Sequence, residues 1–305
     1  MMDTEVAQKL KLKVADIVLE TSCEQPQIRL KLDGPHSRFL VEEGHAEVQL
    51  RVHYGHIPYF TPEELGEQVF DSGSHWSLYQ NDGQYVIPFI SPATGPVPYR
   101  VAVFTSEFQD GALFVRPYRD LPDLKAIGNE PVLIDPFEYP LDELLMVNLL
   151  GRGRGVNFHG CAVKMDERGL LFCGTSGAGK STIANLWKAH QVGILSDDRL
   201  IVRRQEGTFF VHGTPWHGDA HTSLNDKAPL SKVFFLKQAR ENRITLLPKS
   251  EAAARLLVVS FPTFYYPQGM AFTLGLIQEL VEKVPCYELG FTPDQRALDM
   301  VLRDE

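Results

Sequence analysis

Residues 174–181 read Gly-Thr-Ser-Gly-Ala-Gly-Lys-Ser, which matches the pattern G-x-x-x-x-G-K-[ST] at every fixed position. An apolar run at 169–173 precedes this motif, and apolar residues at helical spacing follow it from 181 to 190. The sequence therefore predicts a strand, a glycine-rich loop and a helix in that order. No other feature constrains the fold of the second half of the chain as strongly.

The glycine-rich loop is predicted to bind the phosphates of a nucleotide. Its glycines allow turn conformations that residues with a Cβ disfavour, and its N–H groups and the start of the next helix form an anion site. Lysine in this pattern reaches the outer phosphates, and the serine after it offers a hydroxyl to Mg²⁺. We therefore expect ATP and Mg²⁺ as ligands. The predicted nucleotide-binding residues are Gly174, Thr175, Ser176, Gly177, Ala178, Gly179, Lys180, Ser181 and Thr182.

Two adjacent acids, Asp197 and Asp198, follow the next predicted strand at 192–196. Phosphoryl-transfer sites place a carboxylate at such a position to hold Mg²⁺ or its bound water. A second carboxylate can accept the proton of an attacking hydroxyl. The same dipeptide also favours an ordinary turn at a strand end. Its distance after the glycine loop favours the catalytic interpretation.

Two further segments contain candidate site residues. His159 ends a predicted strand, where it can contact a phosphoryl oxygen or be an ordinary part-buried histidine. The segment 214–219 combines Trp216, His217 and Asp219 with turn residues. Such a loop can shape a substrate pocket, or it can be a structural turn around Trp216.

The two halves of the chain differ in their predicted structure. Residues 1–116 show period-two alternation and two hairpin signals, which are typical of sheets with one solvated face. Five prolines lie in the candidate linker, 117–140, and strands alternate with helices after it. We predict a β-rich N-terminal domain at 1–135 and a catalytic domain of the α/β (α+β) class at 136–305.

Composition and charge restrict the partners of the chain. The 305 residues are 44% apolar and 23% charged, as in ordinary globular proteins. The formal net charge of −9 argues against nonspecific nucleic-acid binding, which needs a basic surface. No stretch approaches the roughly 18 apolar residues of a membrane span, and no basic region followed by an apolar one opens the sequence. We expect a cytoplasmic protein that binds neither nucleic acid nor membrane. The sequence leaves the oligomeric state open and is compatible with a homo-oligomer.

In their order and spacing these motifs resemble the HPr kinase/phosphorylase catalytic domain. The matching residues are His159 with the glycine after it, the loop 174–181, and the pair Asp197 and Asp198 after an apolar strand. The resemblance covers roughly 141–215 and, more distantly, includes ATP-dependent phosphoenolpyruvate carboxykinase, which shares that fold. It implies a carboxykinase-like P-loop fold with a mixed, substantially antiparallel sheet.

The resemblance also implies a role for each matched residue. Lys180 would bind the β- and γ-phosphates, and Ser181 would bind Mg²⁺. Asp197 would be the general base toward a substrate hydroxyl, and Asp198 would help to hold the metal, although the two acids can exchange roles. His159 would contact the transferred phosphate.

We therefore predict a kinase that depends on ATP and Mg²⁺ and transfers the γ-phosphoryl group to a hydroxyl. The acceptor is open: a serine or threonine of a peptide or protein, or a small metabolite. The chain is similar to HPr-kinase-related proteins of bacterial peptide modification, some of which use a serine on a peptide. The alternative is a nucleotide-dependent switch or ATPase that acts through a bound partner, in which Asp197 would only position metal or water.

Overall fold

The structure is a computed structural model, and it describes residues 7–32, 34–58, 61–92, 94–117, 131–175, 177–190 and 192–303. Contacts between residues divide the chain into two compact units. Unit 1 comprises Met1–Lys13 and Ile17–Leu149, and unit 2 comprises Val14–Asp16 and Leu150–Glu305. Most of the expected linker, 118–130, lies outside the described residues.

Unit 1 contains ten strands and two helices in its described part. The strands are β1 (Lys9–Val14), β2 (Ile17–Ser22), β3 (Ile28–Leu30), β4 (Val48–Tyr54), β5 (Glu67–Asp71), β6 (Ser77–Asn81), β7 (Gln84–Ser91), β8 (Gly95–Thr105), β9 (Asp110–Val115) and β10 (Val132–Ile134). The helices are α1 (Pro62–Leu65) and α2 (Leu141–Leu149), and a 3₁₀ segment spans Gly34–Phe39. Eight strands form a sheet in the order β1-β2-β4-β9-β8-β7-β6-β5, and β3 and β10 form a parallel pair.

The strand patterns predicted for the first half are confirmed. In β4, Val48, Leu50 and Val52 are buried and alternate with exposed residues, so one face of this strand packs on the core. Both hairpins form: β6 pairs antiparallel with β7, and β8 with β9. The parallel pairs β2–β4 and β4–β9 join strands that are distant in sequence, and local patterns do not predict them.

Unit 2 contains eight strands and four helices in its described part. They are β11 (Val156–Met165), β12 (Arg168–Cys173), α3 (Lys180–Ala189), β13 (Gly193–Ser196), β14 (Arg199–Gln205), β15 (Thr208–His212), β16 (Lys227–Gln238), β17 (Arg243–Leu246), α4 (Lys249–Val258), α5 (Pro267–Lys283), β18 (Cys286–Phe291) and α6 (Gln295–Arg303). A kinked turn, Leu150–Arg154, precedes them, and Arg152 and Gly153 in it have non-helical backbone angles.

The sheet of unit 2 is mixed and largely antiparallel, as predicted. Its order is β12-β11-β14-β15-β16-β18-β17, and β13 lies beside β11. The pairs β12–β16 and β16–β18 are parallel, whereas the other pairs are antiparallel. Because β12 pairs with both β11 and β16, these strands close on themselves, and the end of β12 lies beside the end of β16.

The sequence predicts that a strand ends at His159, but β11 runs without a break from Val156 to Met165. Its first part pairs with β14, and its second part pairs with both β12 and β13, so the strand continues past His159 and Gly160. Glycine suits this position because a Cβ on Gly160 would lie 3.0 Å from the carbonyl oxygen of Phe172. The antiparallel pairing of β11 with β14 places His159 opposite Arg199, at the start of β14.

Apolar packing fixes α3 against the sheet. Ile183, Ala184 and Trp187 of α3 are fully buried in a cluster with Phe172 and Phe234 of the sheet. Burying a large apolar side chain contributes about 1.5–3 kcal/mol, so this face holds the helix in place after the glycine loop. In the part of the chain that the structure describes, no helix has the length and apolar character to cross a membrane.

Gly213 is predicted to tolerate no side chain. A Cβ there would lie 1.9 Å from the carbonyl oxygen of Leu224 and 2.7 Å from that of Leu195. We expect Gly213→Ala to lower the free energy of unfolding by more than about 2 kcal/mol. Gly275 is the control: it is exposed in α5 with nothing within 4 Å of its Cβ position, so Gly275→Ala should raise stability by about 0.5–1 kcal/mol. Urea unfolding measures the free energy of unfolding of both variants. A wild-type free energy of unfolding for Gly213→Ala would contradict the close packing around Gly213.

Candidate functional site

The glycine loop joins β12 to α3, as predicted. Gly177 and Gly179 have positive φ values of 79° and 107°, which residues with a Cβ rarely adopt. A Cβ on Gly179 would also lie 2.5 Å from the ring of Phe291. The loop therefore needs glycine at Gly179 for its backbone conformation and for its contact with β18. Ser176 lies outside the described residues.

The N-terminal end of α3 offers backbone N–H groups that the helix itself does not pair. Ile183 donates its N–H to the carbonyl of Gly179, so the three helical N–H groups before it have no partner within the helix. Gly179, the N-cap residue, has no side chain to cap them. Together with the helix dipole, these groups can bind an anion.

Lys180 is folded over the glycine loop. Its side chain is largely buried, with 8% of the residue exposed. Its Nζ donates to the carbonyl oxygens of Gly174 and Thr175, each at 3.0 Å. Burial lowers the pKa of Lys180, and the charge of Asp198 opposes this effect. The lysine is therefore positioned at the loop rather than extended into solvent.

The carboxylate of Asp197 is buried and accepts four hydrogen bonds from one loop, 218–222. Its Oδ1 accepts from the N–H of Gly218 at 3.1 Å and from the N–H and Oγ1 of Thr222 at 3.2 and 3.1 Å. Its Oδ2 accepts from the N–H of Ala220 at 2.8 Å. Only 2% of Asp197 is exposed, so this carboxylate holds the loop in place and both oxygens are already engaged.

Asp198 has different surroundings from its neighbour. Its Oδ1 lies 3.1 Å from Nδ1 of His159, and its Oδ2 accepts from Nη1 of Arg199 at 2.9 Å. Burial raises the pKa of Asp198, but the hydrogen bond from His159 and the charges of Arg199 and Lys180 outweigh it, so the pKa lies below its usual value. Asp198 is therefore ionised at neutral pH, with about a quarter of its side chain exposed (26%).

Backbone and ring contacts fix the position of the acid pair. The N–H of Gly160, in β11, donates to the carbonyl of Asp198 at 2.9 Å. The guanidinium of Arg199 lies 4.4 Å from the ring centroid of Phe261 and 3.1 Å from Nδ1 of His159. The acid pair is therefore tied to the same strand, β11, that pairs with β12 next to the glycine loop.

One cleft of about 390 Å³ brings most of the predicted site residues together. It is lined by His159, Gly177, Gly179, Lys180, Ser181, Thr182, Asp197, Asp198, Gly218, Asp219 and Gln238. Gly174, Thr175 and Ala178 belong to the loop but do not line the cleft. Sequence reasoning missed Gln238, which donates from Nε2 to the carbonyl of Gly177 at 2.8 Å. Gln238 lies near the loop because β16, which it ends, pairs in parallel with β12. Local sequence patterns do not predict this pairing.

Trp216 and His217 lie outside the cleft lining, whereas Asp219 lies in it. Trp216 is part-buried, and its carbonyl accepts a hydrogen bond from Oγ of Ser196 at 2.7 Å. The ring of His217 packs edge-on against His221, with centroids 4.9 Å apart. These contacts fix the position of the segment, and its substrate role stays a prediction.

Residues 143–294 match the family model described as SynChlorMet cassette protein ScmC. Among solved structures, the chain is similar to the HPr(Ser) kinase/phosphatase from Coxiella burnetii, with 9% identity. The match covers 48% of this chain and 94% of that chain, with a TM-score of 0.29. No curated protein matches the sequence. This TM-score is too low to indicate a shared fold.

The two acids should differ in their effect on stability. Asp197→Asn places an amide NH₂ against N–H donors in a buried site, so we expect it to lower the free energy of unfolding by about 2–4 kcal/mol. Asp198→Asn, at a partly exposed site, should cost less than about 1 kcal/mol. Urea unfolding at neutral pH compares them. Equal losses would contradict the different environments of the two carboxylates.

Proposed function

We propose that this chain is a kinase that uses ATP and Mg²⁺ and transfers the γ-phosphoryl group to a hydroxyl. The observation that carries the proposal is that the glycine loop, the start of α3, Asp198 and His159 line one cleft. Phosphoryl transfer needs positioning and charge neutralisation more than covalent chemistry. This cleft offers cationic and N–H groups for phosphates beside an acid–histidine pair.

The loop and Lys180 would bind the triphosphate. The ammonium group of Lys180 is already held at the loop by the carbonyls of Gly174 and Thr175. Phosphate oxygens are charged and are stronger acceptors than neutral carbonyls. We therefore expect Lys180 to exchange these carbonyls for the β- and γ-phosphates when ATP binds.

Ser181 and Asp198 would hold Mg²⁺, because both line the cleft and offer the oxygen ligands that this ion prefers. Within the described part of the chain, no three His, Cys, Asp or Glu side chains converge as a metal site. This agrees with an ion that binds one or two protein groups and completes its shell with phosphate and water. When bound, the ion neutralises charge on the phosphates.

Asp198 and His159 would together accept the proton of the attacking hydroxyl. Asp197 is a poor base, because its oxygens already accept four hydrogen bonds. In the tautomer of His159 that donates Nδ1–H to Asp198, Nε2 carries the lone pair and can take the hydroxyl proton. The ionised Asp198 then stabilises the imidazolium. The hydroxyl oxygen bonds to the γ-phosphorus, the bond to the bridging oxygen breaks, and ADP leaves.

The acceptor would approach along the loop 218–222. Asp219 of this loop is exposed and lines the cleft, and the backbone N–H groups of Gly218, Ala220 and Thr222 are fixed by Asp197. The chemistry of the cleft suits a serine or threonine of a peptide or protein, or the hydroxyl of a small metabolite.

A nucleotide-dependent switch is the second candidate, and the bonds between Asp197 and the loop 218–222 favour it. Asp197 lines the nucleotide cleft and anchors this loop, so a shift of the acid pair on nucleotide binding would move the loop. In that case hydrolysis of ATP would depend on a partner bound there.

The kinase predicts a discrete phosphorylated species. We would incubate the chain with Mg·ATP and a peptide and protein pool from the source cell, and search by mass spectrometry for the gain of one phosphate. Asp198→Asn and His159→Gln should each lower transfer by about 100-fold or more while ATP still binds. Lys180→Ala should weaken ATP binding as well. Lys188→Ala is the matched control, because Lys188 is exposed on the same helix.

Undiminished transfer by Asp198→Asn would contradict the proposed proton acceptor. ADP that forms only when a partner is added, with no phosphorylated species, would contradict the kinase and support the switch.

A further inference from the structure

A second cavity, of about 450 Å³, lies at the ends of β16 and β18. The turn after β16, the residue after β18 and one side of α6 form its walls. Its charged lining consists of Arg240, Arg296, Arg303, Glu241 and Asp299. Neither the nucleotide motif nor the acid pair includes any of these residues.

The second cavity adjoins the phosphate cleft through one pair of residues. Gln238 and Phe291 are partners in the β16–β18 ladder. Gln238 bonds to the glycine loop, and the ring of Phe291 packs against Gly179 of that loop. Arg240 lies two residues after Gln238 and lines the second cavity. The Cα atoms of these two residues are therefore at most about 7 Å apart. A molecule with its phosphates on the loop can therefore reach this cavity.

The lining suits an uncharged, planar, hydrogen-bonding group better than a second polyphosphate. Three guanidinium groups line the cavity together with the carboxylates of Glu241 and Asp299, and these carboxylates would repel a polyanion. Guanidinium planes stack on aromatic rings and donate to ring and sugar acceptors. The carboxylates can accept from hydroxyl and amino groups, and Met300 adds apolar surface.

One side of the cavity is already ordered by hydrogen bonds. Asp294 accepts from Nε and Nη2 of Arg296 at 3.1 and 2.7 Å. Oγ1 of Thr292 lies 2.8 Å from Oδ2 of Asp294, and the N–H of Thr292 donates to Oδ1 of Asn242 at 2.7 Å. The side chain of Arg296 is 78% exposed, and its ion pair with Asp294 favours one orientation of the guanidinium, which lowers the entropic cost of binding a ligand against it.

The geometry points to a nucleoside site: the ribose and base of the nucleotide whose phosphates occupy the glycine loop bind in the second cavity, with Arg240 against the base. This inference rests on the proposed function, since it requires the loop to bind nucleotide phosphates. On this inference, the side chains of Arg240 and Arg296 contribute to affinity for the nucleoside and do not contribute to affinity for the phosphates.

Isothermal titration of the full chain with Mg·ATP and with Mg·tripolyphosphate separates the two parts of the ligand. We expect Arg240→Ala and Arg296→Ala each to weaken ATP binding about tenfold and to leave tripolyphosphate binding unchanged. Arg243→Ala is the matched control, because Arg243 is exposed, carries the same charge and lies outside the lining. It should leave both affinities unchanged.

Each other outcome overturns a defined part of the account. Unchanged ATP affinity in Arg240→Ala and Arg296→Ala would place the nucleoside elsewhere. An equal loss for ATP and tripolyphosphate would show that the arginines only attract anions. If the wild-type chain bound neither ATP nor tripolyphosphate, this result would contradict the proposed function itself. Equal affinity of the wild-type chain for both ligands would contradict only the nucleoside site.

Discussion

The buried carboxylate of Asp197 is the interaction on which the rest of the cleft depends. A buried charge is tolerated only when it is paired or hydrogen-bonded, and this one accepts four hydrogen bonds from the loop 218–222. With Asp197 committed to that loop, Asp198 is the acid that contacts His159 and Arg199. The difference between two adjacent, chemically identical side chains therefore comes from burial and from partners distant in sequence.

Two neighbouring strands position the phosphate-binding and proton-accepting groups together. β12 leads into the glycine loop, and its antiparallel partner β11 carries His159 and bonds to the backbone of Asp198. Since both groups are anchored to one sheet, their separation is set by the strand ladder rather than by a mobile loop. Preorganisation of this kind is what phosphoryl transfer requires, because the protein contributes mainly position and charge.

Local patterns in the sequence predicted the elements well. The hairpins of the first half, the glycine loop and α3 each follow from a few adjacent residues. The sequence did not distinguish Asp197 from Asp198, because the donors to Asp197 lie 21 to 25 residues later. Nor did it place Gln238 at the loop or gather Arg240 and Arg296 into one cavity, since both depend on the parallel pairs β12–β16 and β16–β18. The strand end predicted at His159 was wrong, because β11 stays paired beyond that residue, with β12 and with β13.

The most direct test is a structure of the full chain with Mg²⁺ and a non-hydrolysable ATP analogue. The expected result is a γ-phosphate within about 3 Å of Nζ of Lys180, with Nε2 of His159 on the side from which a hydroxyl would attack. A triphosphate bound away from the glycine loop, or a γ-phosphate remote from the Asp198–His159 pair, would contradict it.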